Sequence, residues 1–134
     1  MSNRVVHVEI HADDLDAAMK FYGEVFGWTF VDYTSYVGSP YWWVLTAPED
    51  STEKGISGGL LKRKWPKPSI GQSVNAWPCT IQIDDYDAIE KKILANGGIV
   101  ALPKTALPGM AWQGYYSDLD GNIFGIHQPD KSAK

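Results

Sequence analysis

Three titratable side chains, His7, Glu9 and His11, occupy every second position in the stretch VVHVEIHA and alternate with Val6, Val8 and Ile10. Period-2 alternation puts the polar trio on one face of a β-strand and the apolar trio on the other. Imidazole and carboxylate side by side can do general acid–base work or supply part of a metal site. His127, near the end of the chain, is the third histidine. If its strand approached the first one, His7, Glu9 and His127 would form a two-histidine, one-carboxylate constellation of the kind that holds a divalent metal. Against this, side chains at i and i+2 on a strand stand ~7 Å apart, which is wide for two ligands of one ion.

A second group is aromatic: Trp42, Trp43, Trp77, Trp112, Tyr115 and Tyr116. Adjacent residues on a strand face opposite sides, so only one of Trp42 and Trp43, and one of Tyr115 and Tyr116, can look into a given site. Trp43, Trp112 and Tyr115, with His7, Glu9 and His127, are the candidate ligand-binding residues. Such rings either line a cavity that stacks on a flat or apolar ligand, or build the core and a subunit interface. Cys79, the single cysteine, has no cationic neighbour in sequence and reads as a buried, inert thiol. The glycines of Gly55-Ile-Ser-Gly-Gly59 are not a phosphate loop, because no Lys-Ser/Thr and no helix follow them.

The elements that position these residues follow from local chemistry. After the first strand, Asp13-Asp14 offers a carboxylate to a helix start, Leu15, Ala18, Met19, Tyr22 and Phe26 recur at helical spacing, and Gly27 stops the helix. Residues 28–33 and 41–46 read as strands, with a polar turn over 34–40 between them. Residues 55–61 read as a glycine-weakened strand. A second strand–Asp-Asp–helix–Gly unit then begins: Cys79–Ile83, Asp84-Asp85, a helix through Tyr86, Ile89 and Ile93, and Gly97-Gly98. A short strand over 99–102, a loop over 103–108, strands over 111–117 and 122–128, and a frayed tail from Pro129 complete the expectation. The turn Leu107-Pro-Gly-Met110 is either a lip over a site or an ordinary loop.

Composition narrows the function. The chain has 134 residues, 44% hydrophobic and 21% charged, which suits a globular fold. A formal net charge of −4 gives no footprint for nucleic acid, and the basic run from Lys62 to Lys67 reads as a solvated loop. No apolar run reaches membrane-spanning length, the N-terminus lacks a signal peptide's apolar core, and one cysteine suits a reducing setting, so a cytoplasmic location is expected.

The doubled strand–helix–three-strand unit resembles the vicinal oxygen chelate superfamily, which includes glyoxalase I, extradiol dioxygenases and the bleomycin and fosfomycin resistance proteins. The resemblance is carried by VVHVEIHADDLDAAMKFYGEVFGW, by IDDYDAIEKKILANGG, and by Ser117-Asp-Leu-Asp-Gly-Asn-Ile-Phe124, where Leu119 replaces the usual Pro of the hairpin. It implies an α+β fold of two tandem βαβββ modules forming an eight-stranded, open, cup-shaped mixed sheet. Module one is expected at about residues 4–64, a linker at about 65–75 and module two at about 76–128. It also implies a homodimer.

In metal-dependent relatives the resemblance implies four donors. Only His7, seven residues before Asp14, stands at such a place. The first module's Glu position falls among Gly55–Gly59 or the aromatics of 41–46, the second histidine falls on Pro78, and the last Glu falls on Gly125. His7 is then either a metal ligand or acid–base group, or simply a hydrogen-bonded histidine. Glu9 is either a general base raised in pKa by aromatic burial, and so the candidate catalytic residue, or a carboxylate paired with Arg4, His11 or a backbone donor. His11 reads as a surface or capping residue. Two functions are expected to compete. One is a protein that binds a small molecule in an aromatic-lined cup, with no cofactor and without the inherited metal site. The other is a lyase, isomerase or dioxygenase using a divalent metal on His7, His127 and non-standard ligands. Fold alone does not choose between binder and enzyme.

Overall fold

The computed structural model describes residues 3, 5–69 and 78–134. Arg4, Trp77 and positions 70–75 of the expected linker lie outside the described residues. The chain divides into two compact units, Met1–Lys67 and Pro68–Lys134.

The first unit runs β1 (Val8–Ala12), α1 (Leu15–Phe26), β2 (Thr29–Asp32), α2 (Thr34–Val37), β3 (Tyr41–Leu45) and β4 (Gly58–Lys62). Its strands form a four-stranded sheet in the order β1-β4-β3-β2, in which β1 pairs parallel to β4 and the other pairs are antiparallel. The second unit runs β5 (Thr80–Gln82), α3 (Tyr86–Ala95), β6 (Ile99–Leu107), β7 (Ala111–Ser117) and β8 (Ile123–Pro129). Its sheet repeats the order as β5-β8-β7-β6, again with one parallel pair, β5 with β8. The eight expected strands are thus present as two open four-stranded mixed sheets, each a βαβββ module.

The helix starts repeat as closely as the strands. Asp14 and Asp85 are both extended N-caps, and their carboxylates accept from the backbone N–H three residues on, at 3.0 Å from Ala17 and 3.1 Å from Ala88. Each satisfies an otherwise orphaned helix donor. Gly27 takes the left-handed conformation (φ 72°) that ends α1, with its N–H on the Gly23 carbonyl. The core of module one packs Ala12, Ala18, Val44 and Leu60 against Ile10, Met19, Phe30 and Trp42. In module two, Tyr86 and Tyr116 are fully buried between α3 and the sheet, with their hydroxyls 2.8 Å apart. The Tyr116 hydroxyl also donates to Glu90.

Four local expectations are corrected. The first strand starts at Val8, and Val6 is 69% exposed rather than part of the apolar face. Residues 34–37 form one helical turn instead of a plain turn, because the Asp32 carboxylate accepts from the Thr34 N–H at 2.8 Å and Gly38 closes the turn with φ 87°. The strand expected to end at Leu102 runs on to Leu107, and irregularities in its register against β7 let Pro103 sit within it. The tail is held: Ala133 is buried, its carbonyl accepts from Gly109, and Asp130 receives Ser132 and the Trp112 indole.

Two outcomes follow for stability. A Cβ at Gly58 would stand 1.8 Å from the Val8 carbonyl oxygen, so the parallel pair β1–β4 needs glycine there. Gly58→Ala is expected to cost about 3 kcal/mol, against about 1 kcal/mol for Asp14→Ala, in urea unfolding. Burial holds the Tyr86 and Tyr116 phenols above their ordinary pKa, with Glu90 adding to both. The unfolded chain therefore releases these protons first, and their stabilisation, complete below about pH 10, is lost above it. The urea midpoint is expected to fall as pH rises from about 9 to about 11, and to fall less steeply in Tyr116→Phe.

Candidate functional site

Module one turns one sheet face to its helix and leaves the other open. Strand alternation sends Ile10, Ala12, Trp42, Val44 and Leu60 toward α1. His7, Glu9, His11, Tyr41 and Trp43 take the opposite face. Trp42 and Trp43 are thus split as the alternation predicts, with Trp43 on the histidine side. There the Trp43 ring lies 5.8 Å from the His7 ring and 6.1 Å from Tyr33, the latter at an interplanar angle of 15°. Tyr36 meets Tyr33 edge-on at 5.3 Å and is 83% exposed. The result is a continuous row of rings ending at an imidazole.

Glu9 sits between two histidines. Its Oε2 is 3.6 Å from His7 Nε2 and its Oε1 is 3.6 Å from His11 Nε2. The ~7 Å spacing of alternate strand residues is closed by side chains leaning toward one another. His11 is therefore part of this group and not a cap, since Asp14 caps the helix. The Tyr41 hydroxyl lies 3.2 Å from His7 Nε2. Burial, then the Glu9 charge, then a hydrogen bond to Glu9 hold the Tyr41 phenol above its ordinary pKa, so it serves as a donor.

Tyr41 was not foreseen as a site residue. Its signal in the sequence was Gly59. A Cβ at Gly59 would come within 2.0 Å of the Tyr41 oxygen, so the phenol fills space that any other residue would claim.

In module two, Gln113, Tyr115, Gly125, His127 and Thr80 share the face opposite α3. The Gln113 Oε1 and His127 Nδ1 atoms are 2.7 Å apart. Trp112 takes the other face. Its ring lies 4.6 Å under Lys104 Nζ, which also caps the Tyr86 ring at 5.1 Å, and its indole donates to Asp130 at 3.0 Å. Trp112 and Tyr115 are three residues apart on a regular strand, so they do not line one surface. Cys79 is exposed, contrary to the expectation of a buried thiol. Partial desolvation raises its pKa, which favours the protonated thiol.

The donor set implied for a superfamily metal does not fit this chain. The last-strand carboxylate position is Gly125, and neighbouring side chains occupy the space its own would take. A Cβ at Gly125 would meet Gln113 Nε2 and Thr80 Oγ1 at 3.0 Å and Tyr115 Cε1 at 3.1 Å, so an amide, a hydroxyl and a ring already crowd that place. The counterpart of His7 by N-cap alignment is Pro78, which has no ligand atom. Among the described residues, no three His, Cys, Asp or Glu side chains are grouped to hold a metal ion.

A family profile described as "Bleomycin resistance protein-like N-terminal" matches residues 4–37. CFP32 of Mycobacterium bovis, a protein classed by name as a glyoxylase, is 25% identical over 126 residues, covering 92% of this chain and 45% of that protein. The chain thus spans about half the length of the curated relatives it matches. Among solved structures, the fosfomycin resistance protein FosX of Listeria monocytogenes superposes with a TM-score of 0.71 at 18% identity, over 96% of this chain and 94% of that one. A glyoxalase/bleomycin resistance protein/dioxygenase family enzyme of Burkholderia phytofirmans PsJN does so with a TM-score of 0.66 at 18% identity, over 91% and 95%. Three sequence motifs in order, the profile match over the first strand and helix, and a doubled βαβββ fold shared with these structures support the resemblance to glyoxalase-like and bleomycin-resistance-like proteins of the vicinal oxygen chelate superfamily.

Proposed function

We propose that the protein binds a small aromatic molecule on the open face of module one, without the inherited metal site. The observation that carries this reading is the ring series Tyr33–Trp43–His7 on the face turned away from the core. A flat ligand stacks on such rings by offset or edge contacts worth about 1 kcal/mol each beyond area burial. Glu9 supplies the polar end as an acceptor for a ligand hydrogen bond. Its carboxylate, 41% exposed, is reachable from solvent. Tyr115 and His127 are proposed as ligand contacts on the module-two face, and Trp112 as a residue that supports that sheet from behind.

Titration with naphthalen-2-ol, followed by tryptophan fluorescence, tests this. Saturable quenching is expected, weakened about tenfold or more in Trp43→Ala and unchanged in Trp65→Phe. Equal binding by Trp43→Ala and the parent chain would remove the reading.

A second reading, metal-dependent lyase, isomerase or dioxygenase chemistry on His7 and non-standard ligands, has two supports. Another FosX structure from Listeria monocytogenes is complexed with Mn(II). Here, Tyr41 and Glu9 oxygens lie 3.2 and 3.6 Å from His7 Nε2. Elemental analysis of protein purified without a metal-affinity tag separates the two. The first reading expects no stoichiometric divalent metal, and near-stoichiometric metal lost in His7→Ala would replace it with the second.

The homodimer belongs to the same proposal. Edge strand β6 leaves Ile99, Val100 and Leu102 between 39% and 50% exposed, and an apolar edge of this kind is a pairing surface. Light scattering is expected to give twice the 14.9 kDa chain mass, reverting to one chain mass in Leu102→Lys.

A further inference from the structure

The contact between Gln113 and His127 determines which ring nitrogen is left to act. The amide oxygen of Gln113 has no hydrogen to give, so at 2.7 Å it accepts from His127 Nδ1. In the neutral ring the other nitrogen, Nε2, then carries a lone pair. Among the described residues, nothing hydrogen-bonds to that nitrogen. This is the less common form of a histidine side chain, and a neighbouring acceptor is what selects it.

The surroundings suit a ligand. His127 is half-buried on β8, facing Gln113 across the pair β7–β8 and Gln82 across the pair β5–β8. One step along, Gly125 leaves room in which the Gln113 Nε2 group and the Thr80 hydroxyl, each 3.0 Å from where a Cβ would stand, meet the edge of Tyr115. An imidazole acceptor, an amide donor and a ring edge therefore share one uncharged sheet face.

We propose that this face of module two is a binding site for a neutral, planar, amide-like molecule. The ligand's N–H or O–H is received by His127 Nε2, and its carbonyl by the Gln113 amide hydrogens. Gln113 is the positioning residue, because it holds the tautomer that makes His127 an acceptor. No charge is required of the ligand, in contrast to what the Glu9 carboxylate of module one favours. This deepens the proposal of Tyr115 and His127 as ligand contacts and does not depend on the ring series of module one.

Long-range proton–nitrogen correlation spectra of the 15N-labelled full chain at about pH 8.5, where histidine is ordinarily neutral, test the first step. His127→Gln assigns the signal. Its ring is expected as the Nδ1–H tautomer, and an Nε2–H tautomer would overturn the proposal. The second step compares 2-pyridone with N-methyl-2-pyridone, which lacks the donor. The first is expected to shift the His127 Nε2 resonance and to bind about tenfold tighter, a preference abolished in His127→Phe. Equal binding of the two probes, or no change at the His127 resonance, would overturn it. Naphthalen-2-ol quenching through Trp43 is read separately, so failure of one site does not masquerade as failure of the other.

Discussion

Each module depends on one parallel strand pair, which in module one closes at a glycine. In module one β4 lies beside β1 with Gly58 against the Val8 backbone, closer than a side chain would allow. The parallel pair joins the strand before the helix to the last strand of the module, so the helix must cross between them and cover one face. The Asp14 and Asp85 caps set where that crossing begins. Everything chemical on the open faces is a consequence. Strands brought this close present alternate residues to one surface, and a glycine in the row lets a neighbour's side chain swing over it.

That last effect accounts for the polar groups gathered on the two open faces. Gly59 and Gly125 occupy equivalent register positions, Gly59 opposite Glu9 and Trp43, Gly125 opposite Thr80 and Tyr115. In each module the residue two before the facing aromatic folds over the glycine: Tyr41 in the first and Gln113 in the second. Each of those residues then hydrogen-bonds a histidine, Tyr41 to His7 and Gln113 to His127. A position without a side chain is covered in the same way twice, by a phenol in one module and an amide in the other.

How much of this was legible in the sequence varies with the range of the interaction. The period-2 strand at His7–His11, the Asp caps and the Gly27 stop were readable, because each rests on contacts within a few residues. The split of Trp42 from Trp43 was readable for the same reason. The length of β6 was not, since Pro103 looks like a strand end until β7 is there to absorb the irregular register. The tail was not, because Ala133 and Asp130 are ordered by Gly109 and Trp112, distant in sequence. Trp112 was placed beside Tyr115 by composition, although strand parity alone separates them. The pairing of Glu9 with His11 was among the readings of the sequence, but its simultaneous reach to His7 was not, because backbone spacing was taken as side-chain spacing, and flexible carboxylates and imidazoles close several ångströms.

The two open faces now differ in kind. Module one offers rings and a carboxylate, module two an amide, a hydroxyl and an imidazole whose Nδ1 is engaged by that amide. A carboxylate flanked by histidines answers to cations and hydrogen-bond donors, and its pull changes when the imidazoles protonate. An amide–imidazole pair answers to shape and hydrogen-bond pattern and rejects a ligand mainly by leaving its own groups unpaired. The repeated unit gives two similar sheets, and the residue beside each glycine sets which groups each open face presents. A search for ligands guided only by the superfamily's metal chemistry would test neither, because it would look for charge on vicinal oxygens where this chain has placed rings and amides.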